Sequence, residues 1–405
     1  YAYDGNYRRM VFAPFAALLF IAELCLRGWD EVTARRPGFA LLAGTWLFVG
    51  VLVTCTLVEY DAHFNRYQQP FMPLFILFVG LALGRLVREG GMWGKKLAWG
   101  LAVLGGGWGM MSGVYFAVAY GENCSDIRNQ QTEMGYFIDT HLPSDARIGI
   151  NDAGALRYFG RRQTIDLVGL TSAGFSRPWR HGSGSIFEAL QALPAHRRPQ
   201  YLAIFPNWFN FSDGEFLRPV HRVRIFQPSI IDAEKVLYAV DWDATGEADM
   251  PRDEVMGGWR IVDALDIADL ASEKRHQYES RVRLPGDEEA NLLLSLPGAK
   301  GSFTDGGRTV TGGERFTMNL EVGKPARLVI RTVTGVTQHF HLVVNGRRVT
   351  TIELPGGRVR QWLERPIGTL DKSVTGGPIE VETVPVHQGG DLRPIVSFHY
   401  WFLQP

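Results

Sequence analysis

The polar residues best placed for chemistry lie in one short stretch, residues 59–73, with the sequence EYDAHFNRYQQPFMP. Two long apolar runs, residues 38–58 and 71–87, flank or overlap it. Ionisable residues beside membrane spans usually mark a substrate or ion site. We therefore interpret this stretch as part of the mouth of an active site on the aqueous side of a membrane. The alternative is an interfacial turn whose tyrosines form an aromatic belt and whose arginine binds lipid headgroups.

Arg66 is the phosphate-binding candidate of this stretch, because a guanidinium presents a planar fork of donors that matches a phosphate group. His63 and Tyr67 could add hydrogen bonds to the same group. Arg8 and Arg9, in the N-terminal tail, could share the anion. For each residue the alternative role is lipid-headgroup binding or a structural ion pair.

Acidic residues supply a second set of candidates, for substrate binding: Glu59, Asp61, Asp152 and Asp166. The last two lie in residues 151–172, a segment that is predicted to form a turn, a helix and a strand. Asp152 could instead cap the helix, since its carboxylate can accept the orphan amides. Asp166 could face a site or pair with Arg161 or Arg162.

The composition excludes some classes of function. The chain has 405 residues, 42 basic and 42 acidic, so its formal net charge is zero and no nucleic-acid partner is expected. Its three cysteines predict neither a disulfide framework nor a paired zinc motif. The chain begins with Tyr1, and we expect it to be the C-terminal part of a longer protein.

Residues 1–120 are predicted to form a membrane region, because four apolar runs are about long enough to span a bilayer. These runs are residues 10–26, 38–58, 71–87 and 97–119. Basic residues cluster in the loops at 27–36 and 85–96, which should therefore be cytoplasmic. The loop at 59–70 and everything after residue 120 would then lie outside the cytoplasm. This predicts a multi-pass membrane protein.

The remainder of the chain reads as two soluble domains. Strands alternate with helices over residues 121–242, which predicts an α/β domain with a partly parallel sheet. Residues 243–258 are acidic and glycine-rich, a predicted linker. Short strands separated by glycine-rich turns over residues 259–405 predict a β-sandwich of jelly-roll type. Within it, Asn345-Gly346 predicts a tight hairpin, because both central residues of a type I′ turn need positive φ.

Some side chains of the predicted sandwich could bind ligands. His339 and His341 alternate on one strand and share a face, so with His387 or His399 they could hold a metal. A divalent cation is thus a candidate cofactor, although histidines scattered over a sandwich surface are more common. Three aromatic residues could stack on sugar rings or fill the core: Trp362, Tyr400 and Trp401.

Three segments give the chain a resemblance to a known family: HFNRYQQPFMPL at 63–74, residues 151–170, and residues 259–278 with DALDIADLASEKRHQYE. They resemble bacterial polyprenyl-phosphate-dependent glycosyltransferases of the GT-C superfamily. Those multi-span inverting enzymes transfer mannose, arabinose or related sugars outside the cytoplasmic membrane. The resemblance implies a polyprenyl-phosphate-linked sugar as donor, a glycan or lipid as acceptor, and a lipid bilayer as the setting.

The resemblance also says where the catalytic base should be. In this superfamily the base is an acidic residue of the first outer loop, near the start of the full protein. Asp4 is the one match that this chain offers, and it precedes only four apolar runs. We therefore expect the base to lie outside this chain, with Asp4 as the weaker candidate.

Two functions remain open from the sequence. The first is the C-terminal portion of a membrane glycosyltransferase, in which Arg66 and its neighbours stabilise the leaving lipid phosphate. The second is a membrane-anchored surface protein that binds a glycan without catalysis. An upstream outer loop with one or two Asp residues, followed by further spans, would favour the first.

Overall fold

The computed structural model of the chain describes residues 14–36, 38–57, 67, 69–209, 211, 216–228, 231–246, 248–281, 290–298, 301–372, 377–386 and 394–405. The chain divides into two compact units, Tyr1–Ser125 and Asp126–Pro405. The second unit contains both regions that the sequence analysis assigns to soluble domains.

Long helices make up the described part of the first unit: α1 (Pro14–Thr33), α2 (Phe39–Leu57), α3 (Met72–Glu89) and α4 (Gly91–Asp126). They coincide with the four predicted apolar runs. By length and composition, two helical segments of the described chain could cross a membrane, residues 69–89 and 91–141. The apolar helix of residues 39–54 is shorter. Helices are thus present at all four predicted apolar runs, whereas four membrane spans stay a prediction.

An ion-pair network connects α1 with α3. Glu23 is only 1% exposed and accepts hydrogen bonds from Arg27 Nε at 2.6 Å and Arg85 Nε at 2.8 Å. The predicted topology puts both arginines at the cytoplasmic side. Their convergence on one carboxylate places the two arginines close together in the fold, while the membrane topology stays a prediction.

A mixed α/β sheet opens the second unit, with the strand order β2-β1-β3-β5-β4. Its strands are β1 (Arg147–Ile150), β2 (Gln163–Asp166), β3 (Tyr201–Ile204), β4 (Leu217–Arg224) and β5 (Glu234–Val240). Strand β1 is parallel to β2 and β3, whereas β3, β5 and β4 pair antiparallel. The predicted α/β layer with a partly parallel sheet is confirmed.

Helices cover both faces of this sheet. They are a π-helical turn (Ile127–Thr132), α5 (Glu133–His141), α6 (Gly154–Gly160), α7 (Ser176–His181), α8 (Ser183–Gln191) and α9 (Pro206–Phe209). Successive strand side chains point to opposite faces. Ala203 therefore packs with Met134 and Ile138 of α5, and Leu202 packs with Ile186 of α8.

Two antiparallel sheets follow, with the orders β13-β12-β15-β10-β7 and β14-β11-β17-β6. Their strands are β6 (Arg260–Asp266), β7 (Glu279–Ser280), β10 (Glu314–Leu320), β11 (Ala326–Val333), β12 (Gln338–Val344), β13 (Arg347–Leu354), β14 (Trp362–Leu370), β15 (Gly377–Pro385) and β17 (His399–Gln404). Phe316 and Met318 from one sheet and Tyr400 and Phe402 from the other lie fully buried in one core. A β-sandwich is the architecture that this arrangement supports, while its jelly-roll connectivity stays a prediction.

Local details of the sandwich agree with the sequence. Asn345 and Gly346 alone connect β12 to β13, with φ of 47° and 75°, as a type I′ turn requires. Trp362, Tyr400 and Trp401 are at most 3% exposed. These aromatic residues therefore fill the core, and the sugar-stacking alternative is wrong for this structure.

A third sheet, β16-β9-β8, lies between the α/β layer and the sandwich. It consists of β8 (Ala290–Gly298), β9 (Gly301–Val310) and β16 (Ile395–Ser397). Leu293 of β8 packs into the core around α8, while the next residue, Leu294, packs with Trp362 and Phe398. The alternation of side chains along one strand thus joins the two regions of this unit.

The predicted linker, residues 243–258, contains the short helix α10 (Asp253–Met256). Its backbone is anchored to the sandwich. Arg331 donates to the carbonyls of Ala248 and Met250, and the Trp401 indole donates to the carbonyl of Asp249 at 3.0 Å. A flexible linker would have no such contacts, so this segment is a packed connection.

Candidate functional site

Most of the membrane-loop candidates fall outside the described residues, and their roles stay predictions: Asp4, Arg8, Arg9, Glu59, Asp61, His63 and Arg66. Tyr67 is described, as a half-buried residue in a turn. The remaining candidates, Asp152 and Asp166, lie in the α/β sheet.

Asp166 ends β2 and has a structural role. Its carboxylate accepts hydrogen bonds from the amides of Val168 at 3.0 Å and Thr171 at 2.7 Å. The predicted pairing with Arg161 or Arg162 is wrong, because both arginines bind Asp139 instead. The carboxylate organises the loop after β2.

Asp152 follows β1, and the prediction that it caps the next helix is wrong. Helix α6 has Ala153 at its N-cap and no side-chain cap bond. The negative charge of Asp152 acts instead on Lys235, raising the pKa of that amine against the larger effect of burial.

Lys235 is fully buried at the same edge of the sheet as Asp152. Its ammonium donates to Gln131 Oε1 at 2.8 Å and lies 4.1 Å from the centre of the Phe205 ring. Desolvation by burial lowers the pKa of Lys235 to about 7. Beside β1, both polar side-chain atoms of Asn151 are buried without a hydrogen-bond partner in the described chain. Strong pKa perturbation at the carboxyl edge of parallel strands is typical of functional sites.

The histidines predicted to share a metal do not come together. His339 and His341 are half-buried on β12, where His341 Nδ1 lies 2.8 Å from the hydroxyl of Thr351. His399 is buried on β17 in the opposite sheet, and His387 lies outside the described residues. In the described chain, carboxylates and a histidine that could hold a cation surround Asp266 instead.

The second unit contains a cleft of about 600 Å³ with a mostly polar lining, here called the polar cleft. Its lining residues come from α7, α11 (Leu270–Arg275), β7 and β9: Arg177, His181, Glu273, Lys274, Gln277, Tyr278, Glu279, Ser280 and Arg308. This volume is within the range of small-molecule sites.

The floor of the polar cleft is a buried ion pair. Arg308 Nε and Nη2 donate to the two oxygens of Glu273, at 2.7 and 3.1 Å. Glu273 Oε1 also accepts from the amide of Ala268 at 2.9 Å. Such a two-pronged pair fixes both side chains. These two charges compensate each other, so neither is available to neutralise a ligand.

Tyr278 forms one wall of the polar cleft, and its hydroxyl is fixed by a buried hydrogen-bond network. Its hydroxyl donates to Glu314 Oε1 at 2.9 Å, and Glu314 also accepts from the hydroxyls of Ser397, Tyr400 and Thr383. Burial raises the pKa of both Tyr278 and Glu314. The ring is therefore presented to the cleft in a fixed orientation, as an apolar surface beside charged groups.

The rim of the polar cleft has uncompensated positive charge. Arg177 and Lys274 are exposed, and neither forms an ion pair within the described part of the chain. Glu279, by contrast, accepts from Arg315 Nη2 at 2.6 Å. The exposed Gln277 adds an amide that can both donate and accept. Together these groups can bind an anion that also carries hydroxyl groups.

His181 stands between rim and floor. Its Nδ1 lies 3.5 Å from Arg308 Nη2. Burial, followed by the positive charge of Arg308, lowers the pKa of His181. The lowered pKa favours the neutral imidazole at pH 7. Because a guanidinium can only donate, Nδ1 accepts from Arg308, and the Nε2–H group is left as a donor.

A second cleft, of about 520 Å³, lies along β4 and β5. Its polar groups are largely bound within the protein. Asp241 accepts from the amides of Asp243 and Ala244, and the Trp242 indole donates to the Pro199 carbonyl at 2.8 Å. We therefore regard the polar cleft, whose rim charges are free, as the better candidate.

Comparison with known sequences gives a match for one segment of the chain. A family model described as a domain of unknown function (DUF8728) matches residues 125–279, which include the α/β layer, α11 and Tyr278. No curated protein sequence matches the chain. The matched segment contributes most of the polar cleft.

Among solved structures, the chain is similar to a family 35 carbohydrate-binding module from Clostridium thermocellum, with 16% identity over 28% of this chain and 89% of that one, at a TM-score of 0.21. It is also similar to the CBM36-1 domain of a multidomain xylanase from the hindgut metagenome of Trinervitermes trinervoides, with 12% identity over 29% and 86% of the two chains, at a TM-score of 0.20. A third similar structure is a Paenibacillus xanthan lyase, with 10% identity over 42% of this chain and 15% of that one, at a TM-score of 0.24. Because the TM-scores are this low, we base no argument on these similarities.

Sequence reasoning missed the polar cleft because its residues come from three segments that are far apart in the sequence. One signal was available: Arg177 and His181 are four residues apart, a spacing that puts both on one face of a helix. The partners on β7 and β9 carry no comparable pattern, since their positions depend on how the sheets pack.

Proposed function

We propose that the second unit of this chain binds an acidic glycan in the polar cleft. The observation that carries the proposal is the pair of exposed cations, Arg177 and Lys274, without ion-pair partners in the described chain. They stand over a floor whose own charges are already paired. Such an arrangement attracts a carboxylate or phosphate group on the ligand.

The remaining lining suits the sugar itself. Glycan hydroxyls need partners that donate and partners that accept. The Gln277 amide can do both, and neutral His181 supplies a donor at Nε2. The Tyr278 ring offers an apolar surface against which the C–H face of a sugar can pack. The anionic group would give the charge complementarity, and these neighbours would select a polyhydroxylated ligand over a simple anion.

The proposed setting is the outer face of a membrane. Two helical segments, residues 69–89 and 91–141, are long and apolar enough to cross a bilayer. The loops that carry the basic residues would face the cytoplasm, which leaves the second unit outside. Multi-pass insertion into a bacterial cytoplasmic membrane belongs to this proposal.

For the whole protein we propose glycosyl transfer from a polyprenyl-phosphate sugar, with Arg66 and its neighbours as the donor-phosphate ligands. The resemblance of residues 63–74, 151–170 and 259–278 to GT-C enzymes supports this. The polar cleft would then hold the acceptor glycan near the membrane. The alternative is a surface protein that binds a glycan without catalysis. In that case the polar cleft would still bind the glycan, but no sugar would be transferred.

The binding proposal is tested with the full chain in lipid nanodiscs by isothermal titration calorimetry. The probes are a hexuronate trisaccharide and its carboxyl-reduced, neutral counterpart. A charged hydrogen bond is worth about 1.5–3 kcal/mol, so the acidic probe should bind about ten- to a hundred-fold more tightly. The difference should shrink as salt screens the exposed cations. Equal binding of both probes, or binding of neither, would refute the proposal.

A further inference from the structure

Three carboxylates from different elements converge beside the polar cleft. They belong to Glu188 on α8, Asp266 at the end of β6 and Asp305 on β9, and each offers an oxygen within 4.8 Å of the others. Asp249 and His399 form an overlapping group with Asp266 at the same spacing. The sequence separates these residues widely, so the packing of helix and sheets creates the cluster.

The cluster leaves buried oxygens without hydrogen-bond partners. Asp305 is 1% exposed, yet its Oδ1 has no hydrogen-bond partner in the described chain. Asp266 Oδ1 is likewise buried without a hydrogen bond. A buried, unpartnered carboxylate oxygen is costly, and native proteins rarely leave one without water or an ion.

The nearby cations do not balance this charge. Arg331 donates to Asp305 Oδ2 at 2.8 Å, but it also donates to Glu364 Oε1 at 2.7 Å. Among the described residues, the hydrogen bond seen at the Glu188 carboxylate comes from the backbone amide of Gly306, at 3.1 Å. For Asp266, the closest basic group in the described chain is His399 Nε2, at 3.7 Å. The cluster therefore carries more negative than positive charge.

We infer that Glu188, Asp266 and Asp305 form a binding site for a calcium ion. Ca²⁺ prefers oxygen ligands, above all those of carboxylates. It takes six to eight oxygens in a flexible geometry, some of them from backbone carbonyls or water. Asp249, which is exposed, and water can complete the shell on the open side. A softer metal would favour nitrogen or sulfur ligands.

The site would have a structural consequence for the proposed cleft, although the inference does not depend on glycan binding. A cation would tie α8 to β6 and β9. Arg308, at the floor of the cleft, follows Asp305 by three residues on β9. Bound calcium should thus make that strand, and with it the cleft floor, more rigid.

Shared protons are the competing explanation for the cluster. Burial, followed by the neighbouring carboxylates, raises the pKa of Glu188 and of Asp266, so protons could replace a cation there. The two explanations predict different effects on stability and on calcium binding when Glu188 is replaced with the neutral glutamine. Without calcium, Glu188→Gln removes repulsion and should not destabilise. With calcium, the same change removes a ligand and should weaken binding.

The test uses the full chain in nanodiscs, treated with EDTA and then titrated with CaCl₂ alone. We expect saturable binding by calorimetry and, at about a hundred-fold excess over Kd, a rise in Tm of about 5–10 °C for a unit of this size. Glu188→Gln should lose most of that rise while keeping or exceeding the wild-type Tm in EDTA. The matched control, Glu321→Gln, alters an exposed carboxylate that is paired with Lys324 and should keep the full rise.

Three results would overturn the inference: no calcium binding by the wild type, an unchanged calcium response in Glu188→Gln, or an equal loss in the control. Tighter binding of MgCl₂ than of CaCl₂ would overturn the choice of metal. If Glu188→Gln does not fold, Asp266→Asn replaces it, because the Asp266 side chain is 21% exposed and tolerates a neutral isostere more readily.

Discussion

Arg308 and Glu273 form a two-pronged ion pair beneath the polar cleft, with contacts of 2.7 and 3.1 Å. Both side chains are at most 10% exposed. The pair links β9 to α11, two elements that no local sequence pattern connects. It follows that the floor of the cleft is rigid and electrically balanced, while the charge available to a ligand is on the rim.

The ion pair predicts strongly non-additive stability effects. Arg308→Met should destabilise the second unit by about 3–5 kcal/mol, because it leaves the Glu273 carboxylate buried and unpaired. Adding Glu273→Gln should recover much of that loss, since the amide oxygen can still accept from Ala268. Urea unfolding followed by near-ultraviolet circular dichroism measures both. If the double variant is no more stable than Arg308→Met, the pair is not the reason for the loss.

Lys235 predicts a specific dependence of stability on pH. Its pKa is about 7 in the folded protein, against an ordinary value of 10.5. The unfolded chain therefore binds more protons between these values, and the free energy of unfolding rises with pH across that window. Below pH 7 the full penalty of burying the ammonium applies.

Replacing Lys235 with Met should remove this dependence. The stability of the variant relative to the wild type should fall by roughly 2 kcal/mol between pH 7 and pH 9, since the slope reaches its full value of about 1.36 kcal/mol per pH unit only above the folded pKa. The variant also lacks the hydrogen bond from Lys235 to Gln131, and this loss should lower the free energy of unfolding by a similar amount at every pH. Lys324→Met, at an exposed site, is the control and should show a constant difference. A constant difference for Lys235→Met would contradict the lowered pKa.

The transferase proposal depends on Arg66. In the full protein, Arg66→Ala should cut sugar transfer about ten- to a hundred-fold, because a charged hydrogen bond to the lipid phosphate is lost. Arg66→Lys should recover only part, since an ammonium lacks the two-pronged geometry. Activity is normalised to folded protein, and Arg88→Ala, in the predicted cytoplasmic loop, serves as the control. Activity of Arg66→Ala within about two-fold of wild type (~0.4 kcal/mol) would leave the interfacial turn as the role of this loop.

Local patterns predicted much of the fold. The Asn345-Gly346 turn follows directly from the need for positive φ. Short apolar stretches between glycine-rich turns predicted a strand-rich region over residues 259–405, because most of its strands have one buried face. The apolar runs likewise predicted the places of the four long helices.

Strand β9 could not be predicted from its own sequence, because it contains adjacent glycines. A Cβ at Gly307 would lie 2.5 Å from the Phe398 ring, and one at Gly306 would lie 2.9 Å from Glu188 Oε1. The glycines thus permit close approach of other elements, a requirement that exists only in the folded chain. Strand β14 was missed for a related reason: its Pro366 is tolerated on an edge strand at a bulge.

The candidate site was harder still to predict. Asp166 has a sequence context that suggests chemistry, but its carboxylate is used by loop amides. The polar cleft takes its charge from Arg177 and Lys274, which look like ordinary surface residues in the sequence. What distinguishes them is their position at the rim of a cleft whose floor charges are already paired, a property that depends on the whole fold.

The central claim is that these rim cations bind an acidic glycan, and one measurement tests it most directly. The full chain in nanodiscs is titrated with the hexuronate trisaccharide as wild type, as Arg177→Gln/Lys274→Gln, and as the charge-matched control Arg365→Gln/Lys324→Gln. We predict that the cleft variant loses at least about ten-fold in affinity with an unchanged Tm, while the control binds like the wild type. A cleft variant that binds within two-fold of the wild type, or a control that loses as much, would contradict the account.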